Sequence, residues 1–435
     1  MIRVQAYEWS SVIVKTDGVL NRREFLNGAL SAGLALALFG CERRPASGKV
    51  RLTYNTFWTG RDAHTSVMNW LYREFRARHP DVNLEVVQVA GGAADNGRKQ
   101  MAELAAGGGP DVLHDTTYDQ VRAGYVLDLT ELIEPWRERF YPEALAACTW
   151  DGRIYSLPTE YSVVPAIWHT GLIESVGKSI PRTFEEFMDL GAALKKKGSY
   201  LTCTMACFHH AFFTILFGDP NVREVIARKE WESEAFLRAV KPLKRIIDAG
   251  FVPENDMEIQ RGNASSLFQN GQIACYMAGA YILRNLITAE GVDPELRNRV
   301  AFTPFPEYQG ARPIRGYVPT KTALNQQLAK DKAKLKAALE FLELFTSKES
   351  ATRFVTDAQS PLGVKVNVTE EMTGPLFYKF LMSEKQATST FVLPNNPGAF
   401  DAPATTQAQT DMFASLDEGA SAKKALSIFA EVMRS

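Results

Sequence analysis

The alternation of strand and helix patterns between residues 49 and 113 limits this chain to few architectures. "KVRLTYNTFW" (49–58) is β-rich and alternating, which predicts a strand. "TSVMNWLYREFRAR" (65–78) sets Val67, Met68, Trp70, Leu71 and Phe75 near helical spacing, and His79-Pro80 ends that helix. "NLEVVQV" (83–89) is a second strand, "DNGRKQMAELAAGGG" a helix stopped by glycine, and Pro110–Leu113 opens a third strand. The order β-α-β-α-β predicts an α/β fold with a parallel sheet covered by helices. Ligands of such sheets sit at the carboxyl ends of the strands, here the loops Phe57–Asp62 and His114–Tyr118.

Alternation continues beyond the third strand. "TFEEFMDLGAALKKKG" (183–198) and "DKAKLKAALEFLELFTS" (331–347) read as amphipathic helices. Pro- and Gly-punctuated stretches at 156–161, 311–319 and 360–364 are candidate crossings between two halves of the chain.

The amino-terminal segment "NRREFLNGALSAGLALALFGC" (21–41) carries an apolar run from Gly28 to Gly40. A bilayer span needs roughly 20 apolar residues, and a secretory signal roughly 7–15. The run therefore predicts export. Arg22-Arg23 before Phe25-Leu26 resembles a twin-arginine export motif, and Leu38–Cys41 resembles a lipobox. That resemblance implies a periplasmic protein, or one tethered to the outer face of the cytoplasmic membrane through lipidated Cys41. Removing the signal leaves about 395 residues, enough for two domains.

The formal charge of −1 offers no footprint for nucleic acid. Cys203 and Cys207 are near enough to pair in an oxidising compartment, and free buried thiols fit equally well. No Gly-x-Ser-x-Gly elbow or His-Glu-x-x-His appears. "CTMACFHH" (203–210) gathers two Cys and two His, more simply read as buried sulfur and incidental imidazoles than as a metal site. The expectation is a protein without catalytic residues, metal or cofactor.

Several segments then resemble one family, the sugar-binding branch of the extracellular solute-binding proteins of ABC importers. They are "YREFRARHPDVNLEV", "GGGPDVL" (107–113), "GYVLDLTELI" (124–133), "WDGRIYSLPTE" (150–160), "SIPRTFEEF" (179–187), "LFQNGQIACYMAGAYI" (267–282), "FTPFPE" (302–307) and "ALEFLELFTSKES" (338–350), in family order. Two segments depart from the pattern. The family's Tyr-Asn-Lys-Asp-Leu stands here as Trp168–Leu172, and its Gly-x-Trp as Gly279-Ala280-Tyr281. The resemblance implies a two-lobed periplasmic binding protein fold of type II, with ligand in a cleft between lobes joined by hinge strands. It implies a signal over 1–41, one lobe from 42–160 plus 316–362, and another from 161–315 plus 363–435. The chain would cross near Pro158–Tyr161, Pro313–Tyr317 and Pro361–Val364. The implied partners are a small carbohydrate and a membrane permease, with the protein a monomer.

A sugar needs aromatic plates for its C–H faces and carboxylates or amides for its hydroxyls. The aromatic candidates are Trp58, Tyr118, Tyr161, Trp168 and Tyr281, and the polar ones Asp62, Asp115, Arg315 and Tyr317. Trp168, in "VVPAIWH", also fits a core position. Asp115 and Asp62 also fit as helix caps. Two alternatives stay open. One is an exported carbohydrate-acting enzyme, which needs a carboxylate pair about 5–9.5 Å apart. The other is the same fold holding a polyamine, a phosphorylated polyol or a peptide. An anionic ligand would need a cluster of arginines, and only Arg61, Arg284 and Arg315 are placed to supply one.

Overall fold

The expected alternation builds the first sheet. In the computed structural model β1 (Val50–Thr56), α1 (Thr65–Arg78), β2 (Val82–Gln88), α2 (Ala93–Ala105) and β3 (Val112–His114) follow in order. β1 pairs in parallel with both β2 and β3. α1 buries Val67, Met68, Leu71, Tyr72 and Phe75 along one stripe. The residues described are 48–58, 60, 63–90, 92–259, 261–393 and 403–434. The expected export signal, Cys41, Arg61, Asp62 and the side chain of Arg284 lie outside this description. Among the described residues no helix is long and apolar enough to cross a membrane.

The short helices α3 (Tyr118–Arg122) and α4 (Pro142–Ala146) lead to a small hairpin, Thr149–Trp150 against Arg153–Ile154, and to β4 (Leu157–Pro158). The chain then leaves this sheet for β5 (Ser162–Val164) and β6 (Ala166–His169). Helices α5 (Phe184–Lys196), α6 (His209–Leu216) and α7 (Glu234–Asp248) precede β7 (Cys275–Met277), β8 (Val300–Thr303) and β9 (Ile314–Tyr317). β10 (Lys321–Leu324) returns to the first sheet, followed by α8 (Lys332–Phe345) and α9 (Lys348–Thr356). The last elements used here are α10 (Glu370–Met382) and β11 (Thr390–Val392).

The first sheet has the order β2-β1-β3-β10-β4, with β10 antiparallel to both neighbours. Its core holds Leu52, Tyr54, Phe75, Phe341, Phe345 and Phe354. β6 lies between β8 and β7 in a second sheet, antiparallel to both. β9 lies between β5 and β11 in a third. The second core is rich in phenylalanine, including Phe187, Phe208, Phe212, Phe236 and Phe429.

Three stretches link the first sheet to the rest: Thr159–Tyr161, Val318–Thr320 and the segment 357–369. They are tied to one another. The Glu160 N–H donates to Thr320 O at 3.2 Å, Tyr161 N–H to Pro361 O at 2.7 Å, and Gly363 N–H to Pro158 O at 3.0 Å. The second stretch falls just after the expected Pro313–Tyr317, because Ile314–Tyr317 are taken up in register with β5 and β11. The four cysteines described, Cys148, Cys203, Cys207 and Cys275, are buried and form no disulfide.

Candidate functional site

The first linking stretch carries Glu160 and Tyr161 into Ser162 at the start of β5, and all three are buried. Glu160 is buried, and its Oε1 accepts from Ser360 Oγ at 2.7 Å. His64 Nε2 stands 3.9 Å from the same oxygen. The His64 ring stacks on Trp58 at 3.9 Å and 7°, and Trp58 meets His114 edge-on at 4.3 Å. Phe57 stacks on the His114 ring at 4.7 Å. These rings stand at the carboxyl ends of β1 and β3, where a parallel sheet presents ligands.

Burial lowers the pKa of His64 to about 4 and that of His114 to about 3. Both imidazoles are therefore neutral at pH 7. Neither nitrogen of His64 has a hydrogen-bond partner, nor has Nε2 of His114. His114 Nδ1 is fixed by Thr56 Oγ1 at 2.9 Å. Beneath this wall runs a buried amide network. Asn55 donates to Asn96, Gln120 to Gln100, and both Asn96 and Gln100 to the His114 carbonyl at 2.7 Å. A satisfied network of this kind fixes the wall above it.

Ser162, two positions along from Glu160, anchors the opposite wall. Its Oγ accepts the Ala280 N–H at 2.7 Å, which places Tyr281 beside the link. The Tyr281 ring lies 6.1 Å from Tyr317. The Arg315 guanidinium sits 4.8 Å from the Tyr317 ring and 5.0 Å from Phe213, with Nη1 at 3.0 Å from His210 Nδ1. Met205 is 45% exposed, and Tyr281 and Tyr317 are half-buried. Glu160 and Ser162, two positions apart, thus each touch one of these two groups of residues.

A sequence profile of the bacterial extracellular solute-binding proteins matches residues 70–370. This chain belongs to that family. The arabinooligosaccharide-binding protein of Bacillus subtilis is 25% identical over 173 residues, 38% of this chain and 40% of that protein. An uncharacterized ABC transporter extracellular-binding protein of Pyrococcus horikoshii is 22% identical over 192 residues. The chain spans only about two fifths of the length of these curated relatives. Among solved structures, a chitin oligosaccharide binding protein superposes with a TM-score of 0.73 at 21% identity, covering 89% of this chain and 98% of that one. Maltose-bound MalE3 of T. maritima gives 0.66 at 18% identity, covering 89% and 99%. The fold is thus the two-lobed one of the type II binding proteins.

In this solute-binding fold the sequence candidates fall into distinct places. Trp58 joins Glu160 through His64, and Tyr281, Tyr317 and Arg315 gather on the second wall. Trp168 does not reach the site. It is fully buried in β6, packs edge-on against Phe187 and donates Nε1–H to Thr303 Oγ1 at 2.8 Å. A strand flanked by two others and covered on both faces has no outward side. Tyr161 is buried, its ring 5.7 Å from that of Tyr141. Tyr118 is stacked on Trp150 at 3.3 Å. Asp115 is half-buried in a left-handed turn (φ 62°), its N–H donating to Lys321 O at 2.6 Å. It does not cap α3, since Thr117 and Gln120 form that capping box.

Glu160, Ser162 and His64 escaped the sequence reading, while His114 entered it only as the first residue of a candidate loop and His210 only within "CTMACFHH". Glu160 lies inside the already suspected 156–161 crossing and Ser162 one residue beyond it. No local pattern marks His64. Among the described residues no group of three or more His, Cys, Asp or Glu could hold a metal ion.

Proposed function

We propose that this chain is the capture component of an ABC importer, holding a sugar or oligosaccharide between its lobes and presenting it to a membrane permease. The observation that carries the reading is the pairing of ring-lined walls with neutral imidazoles and one buried carboxylate at the lobe link. Rings suit the C–H faces of a sugar. Neutral imidazoles donate and accept toward hydroxyls without demanding a charged guest. The names of the relatives, which specify arabinooligosaccharide, chitin oligosaccharide and maltose, support the same class.

Binding would favour closure through contacts that the second wall adds only when the lobes approach. Export by the twin-arginine route, tethering through Cys41, action as a monomer and release of the ligand unaltered belong to the same proposal.

A thermal-shift screen against mono- and oligosaccharides tests it. A cognate sugar at 100 times its Kd adds about 2.7 kcal/mol of stability. A screen blank for sugars but positive for amines or phosphates would refute the ligand class, and turnover of the sugar would refute capture without chemistry. Tyr281→Ala is expected to weaken the cognate sugar about 2- to 10-fold, in line with about 0.5–1.5 kcal/mol for a ring contact. Trp168→Phe should leave affinity unchanged in the same titration.

A further inference from the structure

The helical run from Thr204 to Leu216 begins with a π turn, Thr204–Phe208, that passes without a break into α6. Such turns are rare and are frequent at functional sites. This run supports the second wall, since its His210 meets Arg315 Nη1 and its Phe213 lies against the same guanidinium. The start of the run has no local side-chain cap: the residue before it is Cys203, whose thiol makes no capping hydrogen bond. The first N–H groups of a helix need partners from outside the helix. Those of Ala206 and Cys207 find the Cys203 carbonyl, each at 3.1 Å. The Thr204 N–H finds Asp256, donating to Oδ2 at 2.8 Å across 52 positions of sequence.

Asp256 opens the 3-10 turn Asp256–Glu258 and is 2% exposed. Its Oδ1 has no hydrogen-bond partner. Burial pushes its pKa up to about 6 against the pull of Thr204, and Asp417 adds to the push. Cys203, which meets it from the helix start, stays a neutral thiol through burial and the nearness of Asp256. Among the described residues no cation acts on Asp256. An ionised carboxylate so placed weakens the fold. A neutral amide of the same shape would accept the same hydrogen bond without that penalty. What the amide lacks is negative charge, which holds the amino-terminal end of a helix more firmly.

We propose that Asp256 is a positioning residue for ligand capture: its buried carboxylate pins the start of the helix that carries His210 and Phe213, and thereby sets Arg315 and Tyr317 on the second wall. Fold stability is given up at Asp256 in exchange for a fixed wall.

The affinity arm of the test rests on the sugar reading above, and the exchange arm does not. Asp256→Asn is the variant, and Glu258→Gln, an exposed acid on the same turn, is the control and should change nothing. At pH 7.5 amide hydrogen exchange over residues 204–208 should quicken about threefold or more in Asp256→Asn, while its urea midpoint stays level or rises. Affinity for the sugar found by the thermal-shift screen should weaken about two- to fivefold, the scale of one charge at a helix terminus. Both differences from the unaltered chain should vanish at pH 5, where Asp256 is itself protonated. Unchanged exchange over 204–208, a urea midpoint that falls or a variant that fails to fold, or differences that persist at pH 5 would each overturn the proposal. A chain that binds no sugar refutes the sugar reading, and exchange at the two pH values then decides the role of Asp256.

Discussion

Acidifying the protein from pH 6.5 to pH 4 will cost about 3 kcal/mol of folding stability at His64 alone, at 1.36 kcal/mol per pKa unit. The His64 pKa is lowered from 6.5 to about 4 by burial. In the unfolded chain the imidazole takes up a proton near its ordinary pKa, while in the folded chain it resists until about 4. Stability is therefore complete above pH 6.5 and falls as the pH drops through this window. Glu160, 3.9 Å away, offsets part of the loss once His64 is charged, and His114, lowered to about 3, adds to it in the same direction. Urea melts at pH 7, 5 and 4 measure the effect. His64→Phe keeps a ring against Trp58, removes no hydrogen bond, and should flatten the acid slope by one proton. Identical slopes for the two proteins would remove His64 from the account.

Gly363→Ala is expected to destabilise the protein by about 1–3 kcal/mol, the usual range for forcing atoms into a packed site. A Cβ at this position would stand 2.4 Å from Pro158 Cγ, 2.6 Å from Pro158 Cβ and 3.0 Å from Ala144 Cβ. The proline ring cannot rotate aside, so the third linking stretch must back away from the first. The Gly363 N–H bond to the Pro158 carbonyl at 3.0 Å would lengthen with it. Gly262→Ala is the control. It lies in a helix with nothing within 4 Å of the added carbon, and alanine there should be neutral or mildly stabilising. Equilibrium unfolding of the two variants should separate them clearly. Equal stabilities would mean that the link tolerates being spread.

The legible parts of this molecule are those specified over short distances. The helix over Thr65–Arg78 was expected with both ends in place, because its apolar spacing and His79-Pro80 are local signals. The parallel arrangement of β1, β2 and β3 followed from the order of elements. The insertion of β10 between β3 and β4 was not legible, since its partners lie far away along the chain and nothing in "KTAL" states who they are. Trp168 illustrates the same limit at the site. A run such as Ala166-Ile167-Trp168 reads alike whether one face of the strand or both are covered, and only tertiary packing settles which. His64 and His114 became site candidates only once folding stacked one on Trp58 and set the other edge-on to it.

The position of β10 also governs how the protein can be made. A ribosome delivers β1, β2 and β3 early, but the strand that covers the free edge of β3 and supplies the partner of β4 emerges only after the whole stretch from β5 to β9. Until then β3 offers unpaired backbone to any passing strand. A nascent chain truncated before Leu324 is thus missing an inner strand of its first sheet, however intact its earlier residues, and chaperone demand should peak late in translation rather than at its start.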